Sequence, residues 1–355
     1  MLRAAMPRRS TVPAEGVPWT ERQGRMRSRA TTTITKGTTA ALVSLLVACT
    51  SHVPLAPGYR GPEALPTEGP LAELVGSHLP FEILDDADPR DRAHFVVRRL
   101  SVPSVADPGT SIEFEYYDVE GDARTPVVVL LPIFTGVPVI PRFFARYFAN
   151  QGWASVVVLR TRDPFDVLVS AEGAVERNLK DYSRVLDWVE QAPEIDSARV
   201  GLFGVSLGAM DAVMLAAVDR RVDALVVAMA GGDLPYLVLN TRYRRVVRTV
   251  DDIADRNGTS REALSARLDA EIDIDPLALA RYVDAARVLM IMTRTDAIIP
   301  FEAQQRLRES LGSPEALRLV TGHRPSVIMF PRVRSAAFEF FSRQFAHAPV
   351  ALASH

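Results

Sequence analysis

The sequence predicts an α/β fold in which a mostly parallel central sheet carries helices on both faces. Two patterns predict it. Residues 127–131, 154–159, 200–203, 224–228 and 288–292 form continuous apolar runs, as expected of strands buried on both faces. Between them lie stretches such as 141–151, 175–191 and 207–218, in which apolar residues recur three or four positions apart, the period of an amphipathic helix. Strand and helix alternate, and parallel neighbours need such crossovers. A third feature locates an insertion: residues 231–285 break the rhythm with a polar, arginine-rich, helix-like segment that reads as a small cap.

In chain order, the arginine- and proline-rich residues 1–25 precede Met26, a plausible alternative start. Arg27, Arg29 and Lys36 then lead into the uncharged stretch 37–48, which is too short to span a bilayer and has the layout of a secretory signal peptide, so residues 1–48 are expected to be removed. The chain's one cysteine, Cys49, follows directly, which excludes an internal disulfide framework. Residues 49–92 are rich in proline and glycine without sustained periodicity, a tether and entry segment leading to a catalytic domain over 93–347. Residues 94–102 and 112–117 are short β-prone runs separated by Pro103 and Asp107-Pro108-Gly109, the pattern of an antiparallel opening pair. The β-prone residues 316–320 close the series and precede a helical stretch within 326–345.

Forty-one basic against 43 acidic residues leave a formal charge of −2, so no global field favours nucleic acid. No His-Glu-x-x-His, close histidine pair or glycine-rich phosphate motif occurs, so neither a metal nor another cofactor is expected. The basic run 241–248 is read as a solvated helix face.

The chemistry centres on Gly204-Val205-Ser206-Leu207-Gly208, a Gly-x-Ser-x-Gly at the end of an apolar strand and the start of a helix. A sharp turn there strains the serine backbone, the flanking glycines give it room, and the helix N-terminus can stabilise a developing oxyanion. On these residues the chain resembles the α/β-hydrolase family of serine hydrolases, over roughly residues 94–345. The resemblance implies Ser206 as nucleophile and a chain order of serine, acid, histidine. Of six histidines, His52, His78 and His94 precede Ser206 and His347 and His355 lie at the C-terminus, which leaves His323, in Thr321-Gly322-His323, as the base. Asp296, in Thr293-Arg294-Thr295-Asp296 after the 288–292 strand, matches the family's acid loop; Asp233, one strand earlier, is the alternative. Oxyanion donors are expected from the N–H of Leu207 and, where many members carry His-Gly but this chain has Pro132-Ile133-Phe134-Thr135-Gly136, from Phe134 or else Ile133.

These features imply a hydrolase of small-molecule acyl esters working through an acyl-enzyme without a cofactor. A peptidase or acyltransferase on the same residues, or a lipid-anchored binding protein that has lost catalysis, are the alternatives. Separately, Leu46-Val47-Ala48-Cys49 resembles the lipobox of bacterial lipoproteins. That implies an acylated Cys49 as mature first residue, secretion across the inner membrane and anchoring in the cell envelope, with a lean towards the outer membrane facing the periplasm.

Overall fold

The computed structural model describes residues 50–74, 85–91, 94–121, 123–160 and 162–347. Residues 1–48, where a signal peptide is expected, lie outside them, as does Cys49. Ten strands form one sheet: β1 (Thr50–Val53), β2 (Asp85–Asp91), β3 (Phe95–Pro103), β4 (Ser111–Val119), β5 (Thr125–Leu130), β6 (Ala154–Val158), β7 (Ile195–Val205), β8 (Ala224–Ala228), β9 (Val288–Thr293) and β10 (Glu315–Leu319), in the spatial order β1-β10-β9-β8-β7-β5-β6-β4-β3-β2. The six central strands, β10 to β6, are all parallel, and antiparallel strands extend both edges. This is the α/β-hydrolase fold that the sequence predicts.

The apolar runs are strands because both of their faces are covered. Val127, Val129 and Leu131 point into one core with Leu202, while Val128 and Leu130 point into the other with Phe203 and Val205. Helices α1 (Val139–Asn150) and α2 (Val167–Gln191) follow β5 and β6, and α3 (Leu207–Val218) follows β7. The cap holds α4 (Leu234–Asn240), α5 (Arg244–Arg256) and α6 (Arg261–Glu271); α7 (Phe301–Ser310) and α8 (Phe330–Phe345) complete the helices of two turns or more among the described residues. Phe144 and Phe148 of α1 meet Phe340 and Phe341 of α8 in one core, whereas Leu179 and Val185 of α2 join Ala209 and Val213 of α3 in the other. No described helix is long and apolar enough to cross a membrane.

Strand order reverses around β5: the chain passes from β5 to β6 on one side and returns to β7 on the other. The crossovers leave on opposite faces, so a crevice opens beyond the carboxyl ends of β5 and β7, where open α/β sheets bind ligands. The loop 131–136 and Ser206 sit at those two ends.

Two expectations change. The segment read as a tether holds structure: β1 pairs antiparallel with β10, Ala56 N donates to Ser313 O at 3.0 Å, and Glu63 N to Arg281 O at 2.9 Å. A four-residue strand carries too little periodicity to stand out, and it forms because β10 would otherwise present an unpaired edge. Helix α2 starts at Val167, eight residues before position 175, because Val167 and Leu168 pack with the cap.

Candidate active site

Ser206 occupies the sharp turn from β7 into α3 with φ 56° and ψ −121°. A non-glycine residue with such a φ stores strain, and here the surroundings fix it. Ser206 N donates to Ala228 O on the neighbouring strand at 2.8 Å, and Ser206 O accepts from Ala209 N at 3.0 Å and Met210 N at 3.2 Å. The flanking glycines are required sterically. A Cβ on Gly204 would collide with Gly208 O, and one on Gly208 would stand 2.8 Å from both Leu131 O and Pro132 O. The first turn of α3 is thus pressed against the loop after β5.

His323 and Asp296 meet. His323 Nδ1 lies 2.8 Å from Asp296 Oδ2, and since a carboxylate can only accept, Nδ1 carries the proton, which in the neutral imidazole leaves Nε2 to accept. The Asp296 side chain is fully buried and that of His323 is 16% exposed. Asp296 also accepts from Thr293 Oγ1 at 2.8 Å and from the N–H groups of Ile298 at 2.8 Å and Ile299 at 3.0 Å. These bonds wind the acid loop around the carboxylate without making Asp296 a helix cap, since α7 begins after Pro300. The histidine loop lies directly on the acid loop: Thr295 N donates to Thr321 O at 3.2 Å, and a Cβ on Gly322 would stand 2.8 Å from Thr295 O. Ser326 Oγ donates to His323 O at 2.6 Å and braces the far side.

Ser206 and His323 line one cavity of about 410 Å3, roofed by the cap. Asp233, the alternative acid, is engaged elsewhere. It caps α4 by accepting from Tyr236 N at 2.9 Å and pairs with Arg306 at 3.1 Å. The N–H groups of Leu207, Ile133 and Phe134 make no backbone bond among the described residues. Phe134 also contributes its ring to the cavity, between those of Phe165 and Tyr243. Arg244, Arg245 and Arg248 of the basic run are exposed on α5, and Arg245 lies over the rings of Phe134 and Phe165.

Three supporting residues carry no sequence signal. Gln304 of α7, fully buried, accepts from Thr293 N at 3.0 Å and donates to Ile299 O at 2.9 Å, tying both ends of the acid loop. Arg160, just after β6, donates from Nη2 to Ile133 O at 2.8 Å, and its stem packs where a Cβ on Gly136 would sit. Asp211, buried in α3, accepts from the Tyr182 hydroxyl at 3.2 Å. Burial pushes its carboxyl up to about 6, against the opposing pull of the Arg160 charge and the Tyr182 hydrogen bond.

Comparison with known proteins bears on the family and the fold. Residues 25–313 match the family described as X-Pro dipeptidyl-peptidase (S15 family). A curated relative, an uncharacterized 31.7 kDa protein in the traX-finO intergenic region of Escherichia coli, is 32% identical over 125 residues, which cover 32% of this chain and 41% of that protein. The chain spans about two-fifths of the length of such relatives. Acetyl xylan esterase 1 from Thermoanaerobacterium sp. JW/SL YS485 superimposes with a TM-score of 0.57 at 14% identity, over 75% of this chain and 88% of the esterase. Acylaminoacyl peptidase from Pyrococcus horikoshii does so with a TM-score of 0.54 at 15% identity, over 74% of this chain and 43% of the peptidase. At such identities the two structures speak for the fold.

Proposed function

The chain belongs to the X-Pro dipeptidyl-peptidase (S15) family of α/β-hydrolases, and from that premise we propose that it cleaves carboxylic esters through an acyl-enzyme on Ser206, His323 and Asp296. The observation that carries this reading is the strained Ser206 turn opening onto the same cavity as a histidine whose other nitrogen is held by a buried aspartate. In the proposed cycle His323 Nε2 takes the proton of Ser206 Oγ as the oxygen attacks the ester carbonyl. The carbonyl oxygen becomes an oxyanion that the Leu207 N–H and the N–H of Phe134, or of Ile133, stabilise. Collapse of this intermediate expels the alcohol, which receives the proton from His323. Water, deprotonated by the same imidazole, then attacks the acyl-enzyme and releases the acid and Ser206. Asp296 holds the tautomer and offsets the imidazolium charge in both halves of the cycle.

Peptide-bond cleavage on the same residues is the second reading, favoured by the family's own description. Parallel assays with p-nitrophenyl esters and aminoacyl p-nitroanilides, on wild type, Ser206→Ala and His323→Ala, separate the two. The ester reading expects hydrolysis of the esters by wild type alone. Faster turnover of an anilide would move the assignment to a peptidase.

Acylation of Cys49, suggested by Leu46-Val47-Ala48-Cys49, belongs to the same reading and would hold the enzyme on the cell envelope. Partition of the full chain into the detergent phase of a Triton X-114 extract, lost in Cys49→Ala, is the expected result. Equal partition of both proteins would remove the anchor.

A further inference from the structure

The cavity over Ser206 is walled by hydrocarbon. Leu234, Leu237 and Val238 of α4, Val246 of α5, Leu268 of α6 and Ile272 form its roof. Met210 and Met229 line it beside Ser206, and Ile298 and Ile299 of the acid loop contribute as well. The roof is a packed element. Leu168, Val238, Val250, Ile253, Leu264 and Leu268 make a separate buried cluster that ties the cap to the start of α2, and its partly buried neighbours Phe165, Val167, Val246 and Ile272 all line the cavity. Apolar surface also continues outward. Val139 stands exposed beside the lining residue Ile140, and Ile328, 72% exposed, beside the lining residue Val327.

Charge in the cavity points the same way. His323 aside, Arg324 is the only ionisable side chain among the described lining residues apart from the phenol of Tyr243, and none of those residues carries a carboxylate. A second cation, Arg245, lies over two of the lining rings, Phe134 and Phe165. A dipeptidyl-peptidase substrate brings an α-ammonium group two residues from the scissile bond. Burying that cation among aliphatic side chains, beside arginine and without a carboxylate, is strongly unfavourable.

We propose that this cavity is an acyl-chain site and that the substrate class is the esters of unbranched aliphatic acids with on the order of eight to twelve carbons; the proposal rests on the serine-hydrolase reading above. An engineered apolar cavity of about 150 Å3 admits benzene. A volume of about 410 Å3 therefore holds a chain of that length together with the ester group and part of the alcohol.

The test is kcat/KM for p-nitrophenyl esters from acetate to palmitate, each below its micelle concentration, with Gly-Pro-p-nitroanilide alongside and fluorophosphonate labelling of the same preparation. The expected result is a rise of about fourfold per methylene until the cavity fills, a decline beyond it, and anilide turnover at least about a hundredfold below the best ester. In folded protein Val246→Phe should move the optimum to shorter esters and Val246→Ala to longer ones. Leu234→Trp repeats the shortening from another helix if the first pair melts at assay temperature. Labelled enzyme with a flat series, a preference for acetate, or comparable anilide turnover overturns the acyl-chain site and leaves the serine hydrolase standing. Absence of labelling overturns the hydrolase reading itself.

Discussion

Asp296 is fully buried and accepts hydrogen bonds from Thr293, Ile298, Ile299 and His323, so its carboxylate both shapes its own loop and sets the imidazole. Asp296→Asn keeps the shape but can donate to Nδ1, which favours the wrong tautomer. We expect kcat to fall by on the order of 10³–10⁴ while the thermal transition moves little; a fall of less than tenfold would remove Asp296 from the mechanism. Gln304→Ala leaves the buried Thr293 N–H and Ile299 carbonyl without these partners, at a cost of about 2–4 kcal/mol in denaturant unfolding, with kcat reduced as well. Asp211 gives a pH signature. Its folded carboxyl titrates at about 6 against an ordinary 3.8, so the native state holds the proton more tightly than the unfolded chain does. Its contribution to stability is therefore most favourable below about pH 4 and declines by about 3 kcal/mol as pH rises through 6. Asp211→Asn should remove that slope, and the difference in unfolding free energy between variant and wild type should shift in the variant's favour between pH 4 and pH 7.5. Parallel curves for the two proteins would contradict it. Ser206, His323 and Asp296 were legible because each sits at a strand end in a recognisable order. Gln304, Arg160 and Asp211 were not, since a polar residue inside a helix or just after a strand looks the same whether it braces a loop or faces water.

At the level of elements, the loop 131–136 is fitted between the first turn of α3 and the Arg160 side chain. Arg160→Met retains much of the stem but loses the bond to Ile133 O. If this loop supplies an oxyanion donor, kcat for a good ester should drop by about ten- to a hundredfold with a smaller change in KM. Arg160→Lys should recover part of the loss, a result that a purely structural defect would not give. An unchanged kcat would separate Arg160 from the chemistry. The apolar runs and helical periods located the central strands and α3 well, with Leu207–Val218 and Ala224–Ala228 matching residue for residue. The early start of α2 was hidden because its first turn pairs with cap residues such as Val238 and Leu268, far away in sequence. Local period carries no trace of such partners.

The whole molecule places a strained serine at a crevice created by strand order, closes it with a packed cap, and protects the sheet at the β10 edge with β1. That last feature gives a prediction at the same scale. Deleting residues 50–54 from a chain that begins at Thr50 should lower the unfolding temperature and produce concentration-dependent association through the bared edge of β10, visible by light scattering. A monomer of unchanged stability would show that β1 is dispensable. Whether Ser206 is a nucleophile activated by His323 can be read by treating the folded protein with a fluorophosphonate and mapping the adduct by mass spectrometry. One adduct per chain is expected, on the peptide carrying Ser206, absent in Ser206→Ala and in His323→Ala. A folded protein that takes up no label, or takes it up on another serine, would contradict it.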